Sequence, residues 1–150
     1  MAASLWNTNE QKALSDRLNQ LTEQSKRQWG KMDVAQMLKH IDIAYKNAIG
    51  EIPVPRHPMA FIASTYPARR LLIFGIPFQK NLPTAEEYKV KYTLNFQVVR
   101  NEFLNTFQKV TQHANELQFA EHPVFGKLNK EEWGALLHKH LDHHLRQFGV

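Results

Sequence analysis

The stretch that decides the fold runs from residue 129 to residue 148 and reads NKEEWGALLHKHLDHHLRQF. Its large apolar residues recur every three or four positions, at Trp133, Leu136, Leu137, Leu141, Leu145 and Phe148. That spacing places them on one face of an α-helix. Asn129, followed three residues later by Glu132, is the signature of a capping box. The sequence therefore predicts a helix over about residues 129–147.

Three more stretches show the same helical period. The predicted ranges are 8–25, 34–49 and 84–112. The second is introduced by Asp33 with Gln36, and the third by Thr84 with Glu87, both in the spacing of a capping box. No stretch alternates apolar and polar residues for long enough to indicate a strand.

A proline-rich connection separates the second predicted helix from the third. Six of the seven prolines fall between residues 51 and 83, and proline disfavours a regular helix there. Apolar residues in this region favour packing on the body, with one irregular helix between Pro58 and Phe74. The expected fold is all-α, a single domain over 1–150 built as a four-helix bundle with a long crossover.

Composition excludes several classes of protein. The 150 residues contain no cysteine, which rules out disulfides, thiolate metal sites and a cysteine nucleophile. The net charge of +5 is small and no run of Lys or Arg exceeds two residues, so a nucleic-acid partner is not expected. The longest apolar run, 71–78, falls short of the ~18 residues that span a bilayer, and the first residues lack a signal sequence. We therefore expect a cytoplasmic protein with no membrane partner.

Four of the eight histidines lie within seven residues, at positions 138, 140, 143 and 144. In helical projection His140 and His144 fall near the middle of the apolar arc, about 40° apart, while His138 and His143 fall at its edge or outside it. Side chains at i and i+4 converge, so this pair favours metal ligation. The alternative is a pair of core histidines bonded to tyrosine or backbone groups.

A metal site needs a third ligand. The candidates are His40, His57, His113 and His122. His40 lies beside the apolar stripe of the second helix, His57 and His122 each precede a proline in a connection, and His113 follows the third helix. Spacing alone favours His40 only modestly, because a flank histidine bonded to Asp42 or to solvent would fit the same position.

Longer motifs carry a family resemblance. The pattern H-x-x-H-H-x-x-Q, at residues 140–147, resembles the DinB/YfiT-like superfamily of helical metalloproteins. Two strings are similar to the DUF1569 family: WGKMDVAQMLKHID at 29–42 and HPVFGKLNKEEWGALLHKHLDHHLRQFG at 122–149. The resemblance extends from about residue 25 onward. It departs at Arg146, where the superfamily usually has glycine before Gln147.

The resemblance implies an up-down-down-up four-helix bundle with a divalent metal at one end. It implies His40, His140 and His144 as ligands, whereas the family position of His143 is not usually a ligand. The role of the trailing Gln147 does not follow from the sequence. Relatives often dimerise, so a homodimer is expected on the same ground.

Three neutral imidazoles leave open positions on a metal, which is typical of catalytic sites. Zn²⁺ or Ni²⁺ suits such a ligand set. Superfamily relatives include thiol-dependent transferases and an isomerase, and others are called metal-dependent hydrolases. The hypothesis is therefore an enzyme that activates water or an external low-molecular-weight thiol against a small-molecule substrate. His143 is a weak candidate for proton transfer.

Two alternatives stay open at this point. The first is a non-catalytic metal-binding or stress-response module that keeps the same site. The second is a nucleic-acid accessory protein, favoured only by the basic pI and by the name of the superfamily, which refers to DNA damage.

Overall fold

The computed structural model describes residues 3–150, and the regular structure in that range is helical. Its α-helices are α1 (Thr8–Leu18), α2 (Val34–Ala48), α3 (Ala60–Ala63), α4 (Tyr66–Arg70), α5 (Phe96–Gln112) and α6 (Lys130–Gln147). A π-helical turn (Leu71–Gly75) continues α4, and a 3₁₀ turn (Glu86–Tyr88) precedes α5. Residues 3–150 form no β-strand, only an isolated bridge between His122 and Gly126. The all-α prediction is confirmed.

None of the helices in this range is both long and apolar enough to cross a bilayer.

Side-chain caps fix the starts of α2 and α6 where the sequence predicted them. Asp33 accepts from the N–H of Gln36 at 2.8 Å, and the Gln36 side chain accepts from the N–H of Asp33 at 2.9 Å. Asn129 and Glu132 form the same reciprocal pair, with both distances 2.9 Å. An N-cap of this kind stabilises a helix by about 1 kcal/mol. The two helices that carry the candidate histidines thus have well-defined starts.

Helix α2 lies at the centre of the packing. It contacts both α5 and α6, and α1 packs on α6. Tyr45 is fully buried between these helices: its ring meets Phe103 edge-on at 5.3 Å, and its hydroxyl donates to the Leu137 carbonyl at 3.1 Å. One side chain of α2 therefore contacts α5 and α6 together, which fixes His40 of the same helix relative to α6.

Helix α1 is shorter than predicted. It ends at Leu18, whereas the sequence predicted a helix over 8–25. Leu21 is still buried, but it lies in the irregular segment after the helix. The residues that follow form a local turn. The N–H of Thr22 donates to Oγ of Ser25 at 2.9 Å, and the N–H of Ser25 donates to the carbonyl of Thr22 at 3.0 Å. Short polar side chains of this type compete with helical hydrogen bonding, so the helix stops.

Helix α5 begins twelve residues later than the predicted start at Thr84. Asn95 caps it by accepting from the N–H of Val98 at 3.0 Å, and the segment 89–95 is not helical. The predicted capping pair Thr84 and Glu87 does not form a helix start, because the chain there makes only the 3₁₀ turn. The carbonyl of Tyr88 instead accepts from His40 of α2 at 2.9 Å, a bond that a regular helix over this segment would not allow.

The proline-rich connection packs on α6, as its apolar content predicted. It contains α3, α4 and the π turn, two short helices rather than one irregular helix. Ala60 and Ile73 are buried, and Lys139 of α6 donates through Nζ to the carbonyls of Leu72, Ile73 and Ile76. A lysine next to a candidate metal ligand therefore anchors the crossover.

Candidate metal centre

Three histidine side chains meet where α2 packs against α6. His40 comes from the middle of α2, and His140 and His144 lie one turn apart on α6. Their ligand nitrogens all lie within 4.8 Å of one another, and Nε2 of His40 is 3.1 Å from Nε2 of His140. Within residues 3–150 this is the one such group of three or more histidine or carboxylate ligands. These are the residues that the family resemblance implied.

A backbone carbonyl orients His40. Nδ1 of His40 lies 2.9 Å from the carbonyl oxygen of Tyr88, so Nδ1 carries the proton and donates it. Nε2 then presents its lone pair towards the other two histidines. The Tyr88 hydroxyl donates to Asn47 at 2.9 Å, which holds the segment in place. Asp42 is not the partner of His40, because it accepts from Thr106 at 2.6 Å.

A side-chain amide orients His144. Gln147 donates through Nε2 to the carbonyl of Trp29 at 2.9 Å, so its Oε1 faces Nδ1 of His144 at 2.8 Å. An amide oxygen only accepts, and Nδ1 of His144 is therefore the protonated nitrogen. This assigns Gln147 the role that the sequence left open: it fixes the ring of a candidate ligand. Gln147 is buried, so water does not compete for these bonds.

Burial favours the neutral form of all three imidazoles. Burial lowers the pKa of His40 and lowers the pKa of His144 to about 3. The pKa of His140 lies well below its ordinary value because of burial, and then because of the neighbouring His144 and His40. A neutral imidazole is the form that binds a metal.

His143 lies beside the cluster rather than in it. Its ring packs edge-on against Trp29 at 5.6 Å and Phe78 at 5.8 Å, and it contacts the His144 ring at 5.1 Å. Phe78 also contacts His140 at 5.9 Å, and His140 is the one candidate ligand that stays partly exposed. Burial lowers the pKa of His143 too. The rings of Trp29 and Phe78 therefore pack beside the cluster, and His143 lies in contact with both.

The remaining histidines lie outside the cluster: His57, His113, His122 and His138. Those at 57 and 122 accept backbone N–H groups of their own turns through Nδ1. His113 contacts Glu116 at 3.2 Å, and His138 contacts Glu10 of α1 at 2.9 Å. The three alternative third ligands are thus held elsewhere, in local or surface contacts.

Two surface cavities lie away from the histidines. The larger, of about 490 Å³, is lined by Phe96 and Arg100 at the start of α5. The second, of about 350 Å³, is lined by Arg27 and Phe148. Within the described residues, neither is lined by a histidine.

Sequence reasoning did not identify the groups that orient the ligands. The carbonyls of Tyr88 and Trp29 are backbone atoms, so no residue type marks them. The one available signal was the trailing glutamine of the motif, three residues after His144 and therefore on the same face of α6.

Comparison with known families gives one match. The sequence profile described as "Protein of unknown function (DUF1569)" matches residues 3–149. No curated protein and no solved structure matches the chain significantly. The profile covers nearly all of the sequence, including every residue of the histidine cluster. On that ground, the chain belongs to the DUF1569 family.

Proposed function

We propose that the chain binds one divalent metal ion through His40, His140 and His144 and uses it in catalysis on a small-molecule substrate. One observation carries the proposal: three neutral imidazoles converge, and in two of them a hydrogen bond at Nδ1 leaves Nε2 free for the ion. Three protein ligands leave positions open, as in catalytic rather than structural sites.

The donor set fits Zn²⁺ or Ni²⁺. Imidazole binds both well, and the group contains no carboxylate or thiolate that would favour another ion. Two nitrogens that share an ion at about 2.1 Å stand roughly 3.0–3.4 Å apart. The 3.1 Å between the Nε2 atoms of His40 and His140 agrees with that separation.

When bound, such an ion lowers the pKa of a coordinated water or thiol and so activates it as a nucleophile. The chain has no cysteine, so any thiol comes from outside. The reaction is a hydrolysis or a transfer to a thiol. Trp29 and Phe78 pack edge-on against His143, which would move a proton beside the cluster.

The fold that accompanies this proposal is the DinB/YfiT-like four-helix bundle. Its four long helices would be α1, α2, α5 and α6, with the crossover between α2 and α5. The contacts of α2 with α5 and α6, and of α1 with α6, support that arrangement.

A non-catalytic metal-binding module is the second candidate function. The packing of Phe78 against His140 favours it, since this ring contacts, edge-on, the most exposed of the three candidate ligands. Metal-loaded protein assayed against esters, amides and thiol-conjugation substrates separates the two. Turnover that requires His140 supports the enzyme, and metal binding without turnover across the panel supports the module.

The metal site is tested by metal analysis of untagged protein loaded with Zn²⁺ or Ni²⁺. We expect about one ion per chain, and its loss in the double variant His140→Ala, His144→Ala. His113→Ala is the matched control, because that side chain is half exposed and outside the cluster. Unchanged metal content in the double variant would contradict the proposal.

A further inference from the structure

One segment carries most of the exposed large apolar side chains. We call residues 52–85, which contain α3, α4 and the π turn, the crossover arm. Eight of its large apolar side chains are more than a third exposed: Met59, Phe61, Ile62, Tyr66, Leu71, Leu72, Ile76 and Leu82. In the rest of the described chain only Tyr92 and Val98 are comparable. Exposed apolar side chains concentrated in one segment are typical of contact surfaces, which makes the arm a candidate for one.

The crossover arm is also the basic part of the chain. It contains four basic residues, Arg56, Arg69, Arg70 and Lys80, and no aspartate or glutamate. It therefore accounts for four of the five units of net positive charge. The rest of the sequence is nearly balanced.

Three of these cations have no acidic partner among residues 3–150. Arg69 bonds Glu132 of α6 at 2.8 Å, but Arg56, Arg70 and Lys80 form no ion pair in that range. Arg70 lies over the Phe74 ring at 4.8 Å, and Lys80 lies over the Trp29 ring at 4.6 Å. Contacts with aromatic faces leave the donor groups available to an anion.

We propose that the crossover arm docks on an anionic membrane surface. Exposed aromatic and aliphatic side chains would enter the boundary between headgroups and acyl chains, while Arg and Lys bind lipid phosphates. Basic side chains next to exposed aromatic and aliphatic ones are typical of segments that lie on a membrane. The proposal is independent of the metal centre.

A second copy of the chain fits the arm less well. A two-fold interface places the same surface on both sides, so the three cations of one arm that form no ion pair in the described chain would face those of the other, with no carboxylate in either arm to offset them. A surface-bound protein needs no spanning helix. The expectation of no membrane partner rested on the lack of a spanning segment and of a signal sequence, and docking on a membrane surface requires neither.

The direct test is flotation of the untagged protein with lipid vesicles. The two probes are phosphatidylcholine alone and phosphatidylcholine with about one third phosphatidylglycerol. We expect binding to the anionic vesicles, and we expect it to weaken as NaCl is raised. His40→Ala should bind as wild type does, which separates the fate of this proposal from that of the metal site.

Matched variants locate the surface. Phe61→Glu with Leu71→Glu should reduce vesicle binding at least tenfold, whereas Val98→Glu, which changes an equally exposed apolar residue on α5, should not. Arg70→Gln should weaken binding roughly fivefold, as expected for one basic group near a charged surface. Lys12→Gln, a highly exposed lysine of α1, is its control. Circular dichroism melting establishes that each variant is folded.

Three results would overturn the proposal. The first is equal binding to neutral and anionic vesicles, and the second is an equal loss of binding in the Val98→Glu control. The third is a protein that does not bind anionic vesicles; if Phe61→Glu then changes a dimer to a monomer in light scattering, the arm is an interface between copies.

Discussion

Gly30 supports a candidate metal ligand without being near the cluster in sequence. Its φ is +81°, in the left-handed region that favours glycine. A Cβ at this position would lie 2.5 Å from Nε2 of Gln147, the amide that fixes His144. A side chain here would therefore displace Gln147 and loosen the ring of a ligand.

We expect Gly30→Ala to weaken metal binding roughly tenfold or more, as loss of a group that orients a ligand does. Gly50→Ala is the matched control: its φ is +76°, but nothing lies within 4 Å of the added Cβ. Both variants carry the left-handed strain of about 1–2 kcal/mol, and only the first meets Gln147. Titration with a competing chelator measures both affinities, and equal affinities would contradict this role for Gly30.

His122 makes the fold sensitive to acid. Its Nδ1 accepts from the N–H groups of Val124 and Phe125 at 3.0 and 3.1 Å, so protonation there would break both bonds. Burial lowers the pKa of His122 to about 4, against about 6.5 in an unfolded chain. Between these values the unfolded state binds more protons than the folded one. The contribution of neutral His122 to the free energy of unfolding is therefore fully present above about pH 6.5 and is lost as the pH drops towards 4.

The expected loss over that window is about 3 kcal/mol for this one group. His122→Asn should reduce the dependence of the free energy of unfolding on pH between about 7 and 5, since an amide accepts the same bonds without titrating. His113→Asn, at an exposed site, should leave the dependence unchanged. Urea unfolding at each pH measures it, and an identical slope in wild type and His122→Asn would refute the assignment.

The candidate ligands differ in how far the sequence predicts them. His140 and His144 follow from helical spacing, because both lie on the apolar face of one helix. His40 needed the family resemblance, since its contact with α6 joins residues 100 apart in the chain. The contacts of the Trp29 and Tyr88 carbonyls could not be predicted from the sequence, because every residue type has a backbone carbonyl.

At the scale of elements, the capping boxes at Asp33 and Asn129 predicted real helix starts, whereas the one at Thr84 did not. Thr84 and Glu87 have the right spacing, and Tyr88 and Tyr92 fit the helical period of α5. The carbonyl of Tyr88 nevertheless bonds His40 across the fold, and a carbonyl in a regular helix would be used within that helix. A contact between distant residues thus overrode a local signal that was otherwise consistent.

An ion pair couples the crossover arm to the start of α6. Glu132 is buried, and its carboxylate accepts from Arg69 at 2.8 Å and from the N–H of Asn129 at 2.9 Å. Arg69→Gln should lower the free energy of unfolding by roughly 3 kcal/mol, because it leaves a buried charge without its partner. Arg70→Gln, the adjacent arginine with no ion pair in the described chain, should cost less than about 0.5 kcal/mol. Urea unfolding compares the two, and equal losses would contradict the coupling.

At the scale of the whole molecule, a metal ion would link α2 to α6. An ion that binds the folded state alone stabilises it by about 2.7 kcal/mol at a hundred times its dissociation constant. For a chain of this size that corresponds to a rise in Tm of roughly 5–10 °C. Scanning calorimetry with and without Zn²⁺ or Ni²⁺ measures the rise. The double variant His140→Ala, His144→Ala should show none, and an equal rise in that variant would place the metal elsewhere.

The fold class was predictable because helical periodicity and the absence of alternating stretches are local properties of the sequence. The packing of the crossover arm was only partly predictable. Its apolar residues indicated contact with the body, but which of them face α6 and which face outward depends on Lys139 and Glu132, residues more than 60 positions away.

The pairing of α1 and α2 with α6 has a consequence for how the chain folds. Arg17 bonds Asp142 across 125 residues, Glu10 bonds His138 across 128, and His40 meets His140 across 100. Helical proteins usually fold fast because most of their contacts are local. Here long loops must close, at a cost in chain entropy, before these contacts can form. Individual helices form within about a microsecond. Helical structure should therefore appear well before the histidines come together, and the ability to capture a metal should be among the last properties that the folding chain acquires.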